Sequence, residues 1–417
     1  MHELNTPPVS LSISRAVSAL GAGPLEESAL VRHVAPLFSR VLAREEIYLA
    51  NHSLGRPLDQ TRDDVLEALD LWYSDMDRAW EAWLGEQSHM RARLALLLGL
   101  SRADAVVPKT SAGQGLRAVL NALPAPCPTV VATRGEFDSI DFILKTYQLR
   151  GRAEVNFVEP RAGDSFDPAD VLAQISADTD LVVVSSVFYA SGRVMEGLAE
   201  IIAEAHRHGA VVLLDTYHAL GVMPVAMEAL GADFAIGGSY KYLRGGTGAC
   251  FLAVHPRHLD PSGVARSGLR TLDTGWFAKR DTFRYQRPDT PELSAGGDAW
   301  LESTPPVLIP YQCRAGLQMT LALGVERLRA YTLGQLAFFG AALRDAGVPF
   351  VGGDERHGAF LRVPTRDTGA FVARLKHRGL NADARLGQVR FCPDILTTRG
   401  ELTRAASIIA QVSRDLR

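Results

Sequence analysis

Six short apolar runs alternate with amphipathic stretches through the middle of the chain. The runs are TVVAT (129–133), EVNFVEP (154–160), LVVVSSVF (181–188), VVLLD (211–215), DFAIGG (233–238) and ACFLAV (249–254). Because strands buried on both faces are apolar throughout, these runs predict a mostly parallel central sheet. The segments between them, 136–149, 168–176 and 196–209, have helical periodicity. The pattern therefore predicts an α/β fold in which helices cover both faces of the sheet.

The alternation stops near residue 255, where a stretch rich in proline and glycine begins. Two long helices are predicted after it, over 312–331 and 333–347. Shorter apolar runs and a final helix over 400–414 indicate a small C-terminal α+β domain. We expect three parts: an N-terminal arm near the active site, a large sheet domain and a small C-terminal domain. Their predicted bounds are 1–60, 61–305 and 306–417.

Length and composition are those of an ordinary globular protein. The 417 residues are too many for one small core, and 47% are hydrophobic and 22% charged. The 44 basic and 47 acidic residues give a net charge of −3. This balance offers no electrostatic basis for binding nucleic acid or an anionic membrane, and no apolar run is long enough to span a bilayer.

The four cysteines are far apart in the sequence, and none forms a C-x-x-C pair. A disulfide framework or a zinc site is therefore not expected, and no metal site is predicted. The first twenty residues lack the basic start and apolar core of a signal peptide. We expect a cytoplasmic protein.

Polar residues follow the predicted strands at the edge where parallel sheets bind ligands. Asp215 ends VVLLD, His218 follows three residues later, Ser185 ends LVVVS, and Lys241 follows DFAIGG. Each has an ordinary structural explanation when taken alone, such as a helix cap or a tight turn. The small-residue turn SAGQG (111–115), ahead of an apolar helix, lacks the Lys-Ser/Thr ending of a Walker motif.

Taken together, these groups match the needs of one cofactor, pyridoxal 5′-phosphate (PLP). The Lys241 amine would form a Schiff base with the aldehyde, and Asp215 would keep the pyridine nitrogen protonated. The helix begins within SAGQG, and the backbone N–H groups of Ala112, Gly113 and Gln114 at its start would hold the phosphate. Phe137, just after TVVAT, is the candidate to stack on the ring.

The segment from Leu213 to Val254 resembles the cofactor segment of kynureninases, which have the aspartate-aminotransferase-like fold of PLP enzymes (fold type I, class V). That family reads roughly D-x-x-H-x-x-G, G-x-D-F-A and S-Y-K-Y-L-N-x-G-x-G. The matching residues here are Asp215, His218, Gly221, Gly231, Asp233, Phe234, Ala235, Ser239, Tyr240, Lys241, Tyr242, Leu243, Gly246 and Gly248. Arg244 replaces the family's asparagine.

Weaker matches extend the resemblance along most of the chain, in IYLANHSLGRPL, SSVFYASG, TGWFAKR, ESTPPVL and DARLGQVRFCP. The resemblance implies that Ser185 and His218 lie beside PLP, and that Tyr240 bonds the phosphate and takes part in catalysis with Lys241 and Asp215. It also implies a homodimer with composite sites, in which Trp276 and Thr304 reach the partner's phosphate. Arg390 would bind the α-carboxylate of an amino-acid substrate through a bidentate fork.

Three departures from the family pattern leave PLP binding supported by the resemblance but not an aryl-ketone substrate. Ile140 stands at the aspartate of the family's F-P-S/T-D, unless a one-residue shift lets Asp141 serve. The family's G-H after G-W-F is Ala278-Lys279, and Met76 falls near the place of its substrate-reading histidine.

The leading hypothesis is hydrolytic Cβ–Cγ cleavage of kynurenine or a related γ-keto amino acid. The alternatives are aminotransfer, racemisation, β-elimination or desulfuration, and, outside catalysis, a PLP-binding scaffold subunit.

Overall fold

The computed structural model describes residue 4 and residues 9–259 and 268–416. Its α-helices are α1 (Leu11–Ala19), α2 (Glu27–Ala29), α3 (Ser39–Leu42), α4 (Gln60–Ser74), α5 (Ala79–Leu98), α6 (Ala112–Leu120), α7 (Asp138–Leu149), α8 (Pro168–Leu172), α9 (Leu198–Arg207), α10 (Met227–Leu230), α11 (Leu308–Leu323), α12 (Val325–Asp345), α13 (Thr368–His377) and α14 (Arg399–Asp415). Its strands are β1 (Ile47–Tyr48), β2 (Val106–Lys109), β3 (Thr129–Thr133), β4 (Glu154–Val158), β5 (Leu181–Ser185), β6 (Val211–Asp215), β7 (Phe234–Gly238), β8 (Cys250–Val254), β9 (Val351–Gly352), β10 (Leu361–Pro364), β11 (Leu380–Asn381), β12 (Asp383–Arg385) and β13 (Gln388–Phe391).

A seven-stranded sheet in the order β2-β8-β7-β6-β5-β3-β4 forms the centre of the large domain. Strands β3 to β7 run parallel, whereas β8 is antiparallel to both of its neighbours, β7 and β2. The mostly parallel sheet predicted from the sequence is confirmed. Strand β2 was not predicted, because its four residues include a proline that interrupts the apolar run.

Apolar residues of the strands and of the covering helices form one core. All five residues of β5 are buried, and Leu116 of α6, Leu144 of α7 and Ile201 of α9 pack into the same cluster. Because parallel strands are joined by helices, this core aligns the carboxyl ends of β5, β6 and β7 at one edge. The register pairs Ser185 with Asp215, so the two predicted site residues lie side by side.

The small C-terminal domain contains the antiparallel sheet β12-β13-β10-β9, with α12, α13 and α14 around a separate apolar cluster. The helix predicted over 312–331 is wrong in its bounds. Gly324 has a φ of 82°, which ends α11, and α12 begins at the next residue. The predicted domain bounds at 60 and 305 stay predictions.

The N-terminal segment packs against two elements of the C-terminal part of the chain, β11 and α11. Strand β1 pairs in parallel with β11 of the C-terminal domain, and Ile13 of α1 packs in a cluster with Met319 of α11. Within the described residues, no helix has the length and apolar character to cross a membrane.

Candidate active site

A cavity of about 200 Å³ lies at the carboxyl ends of the parallel strands. Residues from five predicted segments meet there, as the strand-end reasoning expected. Its lining includes the predicted residues Ala112, Phe137, Ser185, Asp215, His218, Tyr240 and Lys241. The backbone of Gly55 packs against the loop that carries Lys241. A Cβ at this position would lie 1.9 Å from the Lys241 carbonyl oxygen, so this approach requires glycine.

Lys241 is 6% exposed, and its amine lies among aromatic rings. The Nζ atom is 5.4 Å from the centre of the Tyr217 ring, 5.6 Å from that of Tyr240 and 5.8 Å from that of Phe137. Burial lowers the pKa of the ammonium to about 7, although the nearby Asp215 opposes the shift. A substantial fraction of this amine is therefore neutral, and nucleophilic, near neutral pH.

Asp215 ends β6 with its side chain in the cavity. Its Oδ1 accepts a hydrogen bond of 2.8 Å from the Tyr217 backbone N–H. Burial raises the pKa of the carboxyl to about 6, against the effects of that hydrogen bond and of Lys241. Because burial destabilises an unpaired carboxylate, this site favours a cationic partner, such as a protonated ring nitrogen.

His218 connects Lys241 to the residue that follows it. Its Nε2 lies 2.6 Å from Lys241 Nζ, and its Nδ1 lies 3.0 Å from the hydroxyl of Tyr242. Burial holds the pKa of His218 well below its usual range, so the ring is neutral. A neutral imidazole can accept a hydrogen bond from the amine and hold it in place.

The N-terminus of α6 faces the cavity. Ser111 is the N-cap and accepts from the Gln114 backbone N–H at 3.2 Å, which orients the first turn. Ala112 lines the cavity, and Gly113 packs closely enough on Ile143 that a Cβ would lie 2.7 Å from its Cδ1 atom. This turn presents free N–H groups to an anion.

A second cavity, of about 290 Å³, lies next to the first. Two of the predicted residues, Gln114 and Thr304, line it, and Trp276 lies beside it. The Gln114 amide donates to Glu302 at 3.0 Å, and its oxygen accepts from the Thr110 N–H. Trp276 Nε1 donates to Thr304 Oγ1 at 3.1 Å, so these two residues form one unit. The second cavity shares Thr110 with the first.

Arg390 is 3% exposed and belongs to a polar cluster beside the site. Its Nε and Nη2 donate to Asp383 at 2.9 and 2.6 Å, and its Nη1 donates to the Tyr189 carbonyl. Asp383 also accepts from Ser53 and contacts His52 Nε2 at 2.6 Å. Asp383 and the Tyr189 carbonyl therefore take three of the five guanidinium N–H groups, and one N–H of Nη1 and one of Nη2 remain for a second carboxylate.

The replaced family positions lie away from this cavity. Ile140 is fully buried in the core. Asp141 is not among the cavity residues, and its carboxylate accepts a hydrogen bond of 2.6 Å from Lys145. Met76 is 68% exposed in the turn between α4 and α5.

Sequence reasoning missed Tyr189, Tyr217 and Glu136. Tyr189 and Tyr217 line the cavity, and Glu136 lies behind Ser185. All three follow the ends of predicted strands, and the strand-end rule could have found them. The pairing of Asp383 with Arg390 had no comparable signal, because it depends on how the small domain folds.

The arrangement fits PLP on three separate counts. A partly neutral buried amine suits an aldehyde, a buried carboxylate suits a pyridinium, and a helix N-terminus suits a phosphate. The cavity that joins them has the volume of a small ring compound. Fold and site together define a PLP-dependent enzyme of fold type I.

Comparison with known proteins gives the family. The model of the class-V aminotransferases matches residues 74–331, and the chain belongs to that family. The kynureninase of Salinispora tropica is 29% identical over 88% of this chain and 90% of its own length. That of Xanthomonas campestris pv. campestris (strain B100) is 30% identical over 78% and 77%.

Solved structures show the same fold at lower identity. The apo cysteine desulfurase of Thermococcus onnurineus NA1 is 18% identical, with a TM-score of 0.77 over 90% of this chain and 96% of its own. A mutant of C-DES with glycine covalently linked to its PLP cofactor has the same identity and TM-score, over 90% and 98%.

Proposed function

We propose that this protein cleaves the Cβ–Cγ bond of kynurenine, or of a related γ-keto amino acid, by hydrolysis. The observation that carries the proposal is the buried Lys241 amine, held by His218 and facing Asp215, in a chain whose curated relatives are named kynureninase. Bound PLP supplies an electron sink for a carbanion at the substrate's α-carbon.

The residues then have distinct tasks. The Lys241 amine takes the α-proton, with His218 keeping Nζ in place. Asp215 keeps a ring nitrogen protonated, and the remaining N–H groups of Arg390 Nη1 and Nη2 bind the α-carboxylate. Tyr240 lines the same cavity and would bond the phosphate.

The test is product analysis with a panel of substrates. The purified protein with PLP is incubated with L-kynurenine, 3-hydroxykynurenine, aspartate, cysteine sulfinate and alanine. We expect anthranilate and alanine from kynurenine. Sulfur or sulfite release, or a keto acid formed without anthranilate, would contradict the proposal and favour one of the other class-V reactions.

The cysteines favour hydrolysis over desulfuration, which needs an accessible nucleophilic thiol. Burial raises the pKa of Cys250, which lines the cavity, and of Cys392, and it raises that of Cys313 to about 12. Cys127 is exposed but lies just before β3, at the opposite end of the strand from the cavity. None of these thiols combines reactivity with access to the site.

Replacing Arg390 with lysine should weaken substrate binding. The planar guanidinium can donate to Asp383 from one edge and to a substrate carboxylate from another, whereas the ammonium of a lysine has no such edges. Losing a charge-assisted hydrogen bond costs about 1.5–3 kcal/mol, so we expect KM for the amino acid to rise about 10- to 100-fold. Steady-state kinetics of Arg390→Lys measure this, with the exposed Arg414→Lys as the control. An unchanged KM would contradict the role given to Arg390.

The attachment of PLP to the apoprotein should depend on pH through Lys241. Because its pKa is lowered to about 7, the amine is neutral above that pH, and the reactive fraction falls about tenfold per unit below it. The attachment rate, followed by absorbance, should level off above pH 8. Nα-acetyl-lysine in solution is the control, because its rate should keep rising to about pH 10. The same continued rise in the protein would contradict a lowered pKa.

A homodimer with composite sites is part of the proposal, as is a cytoplasmic location. Trp276 and Thr304 are bonded to each other beside a second cavity, where they could serve a partner's phosphate. Mixing Lys241→Ala with a Trp276→Phe/Thr304→Val variant should restore about one quarter of wild-type activity, since half of the dimers gain one intact site. Exchange without recovered activity would contradict composite sites.

A further inference from the structure

A carboxyl group that takes no part in the proposed chemistry lies directly behind the cavity wall. Glu136 is 2% exposed and immediately precedes Phe137. Its Oε1 accepts from Thr133 Oγ1 at 2.7 Å and from the Ser185 N–H at 3.1 Å. Its Oε2 lies 2.6 Å from Ser185 Oγ. Ser185 in turn lines the cavity, so it separates Glu136 from the cavity.

The surroundings of Glu136 favour its neutral form. All three hydrogen-bond donors are uncharged, and the register of β5 and β6 places Asp215 beside Ser185. Burial raises the pKa of Glu136 to about 8, although the hydrogen bonds from Ser185 and Thr133 oppose the shift, and the negative charge of Asp215 adds to the effect of burial. Two buried carboxylates this close are not both ionised at low cost.

The other charged groups on the neighbouring elements are engaged elsewhere. Arg134 donates to Glu159 at 3.2 Å and lies over the Phe157 ring. Asp138 accepts from the Tyr189 hydroxyl at 3.0 Å. Lys241 lies in the cavity beside His218, so Asp215 remains the charged group that acts most directly on Glu136.

Protonation of Glu136 decides which way the Ser185 hydroxyl points. Oε1 already accepts two hydrogen bonds, from the Thr133 hydroxyl and from the Ser185 N–H. In the protonated form of Glu136, the acid proton is therefore on Oε2. In the ionised form Ser185 Oγ donates to Oε2 across the 2.6 Å contact. In the protonated form the acid donates to Ser185 Oγ instead, and the single proton of the serine hydroxyl must then turn to another acceptor.

We infer that Glu136 is a positioning residue that makes Ser185 a hydrogen-bond donor towards PLP in the cavity. The inference rests on the proposed placing of PLP beside Ser185. It assigns Glu136 no contact with cofactor or substrate, since its whole effect passes through one hydroxyl group.

The test compares the PLP affinity of the wild type and Glu136→Gln at pH 6.5 and pH 9, by absorbance titration of the apoprotein. The glutamine amide has the shape of the protonated acid and donates to Ser185 at every pH. We expect equal affinities at pH 6.5, and at pH 9 about threefold to tenfold tighter binding by the variant, the usual worth of one hydrogen bond. The effects of pH on Lys241 are the same in both proteins, so they cancel in the ratio of the two PLP affinities, variant to wild type.

Two further variants make the result specific. In the Ser185→Ala background, Glu136→Gln should no longer change the ratio, because the connecting hydroxyl is absent. Glu159→Gln, on the exposed partner of Arg134, should match the wild type at both pH values. An affinity ratio of variant to wild type that is the same at both pH values would overturn the inference. So would a pH-dependent ratio that persists in the Ser185→Ala background. Either result would leave the proposed function untouched. A wild type that binds no PLP would overturn both this inference and the proposed function.

Discussion

Replacing Lys241 with alanine should abolish turnover and remove the near-visible absorbance band of the imine that joins PLP to the protein. The side chain supplies both the covalent attachment and the proposed α-proton acceptor, and general acid–base catalysis alone contributes roughly 10²–10⁴-fold. We therefore expect activity to fall by at least about 10⁴-fold. The protein should stay folded, because removing a 6% exposed amine with a lowered pKa relieves a burial cost.

The matched control is Lys376→Ala, on the exposed surface of α13. It should keep both wild-type absorbance and wild-type turnover. If Lys241→Ala retained the absorbance, Lys241 would not be the attachment residue. If it retained turnover, the proposed mechanism would be wrong even with PLP bound.

Replacing Asp215 with asparagine should produce the second-largest loss. The carboxylate is the group placed to stabilise a protonated ring nitrogen, and an opposite charge at this range shifts a pKa by roughly 1–3 units. Because one pKa unit corresponds to a factor of ten, we expect kcat to fall about 10- to 1,000-fold. The absorbance band should persist but shift, since Lys241 is still present.

Asparagine keeps the size of the side chain and can still accept from the Tyr217 N–H, so the local structure should hold. The exposed Asp178→Asn serves as the control. A kcat within twofold of the wild type would show that the ring nitrogen does not depend on Asp215, which would remove one of the three grounds for the cofactor's placement.

The sequence was sufficient for the sheet and for much of the cavity, for a physical reason. Strands such as 181–185 are buried on both faces, so their apolar composition is unambiguous, and parallel strands bring their carboxyl ends together. Ser185, Asp215 and Lys241 could therefore be expected to meet.

Features that depend on packing between distant segments were not accessible in this way. The antiparallel direction of β8 could not be predicted from its residues, since an apolar run looks the same in either direction. Asp383 binds Arg390 within the small domain and contacts His52 of the N-terminal segment. Neither local periodicity nor motif spacing reports such a contact.

The most direct test of the central claim is to find the lysine that carries PLP. The protein is loaded with PLP, reduced with borohydride to fix the imine, digested and analysed by mass spectrometry. The account predicts a phosphopyridoxyl group on the peptide containing Lys241. A label on Lys109, the buried lysine beside the second cavity, with Lys241 unmodified, would contradict it.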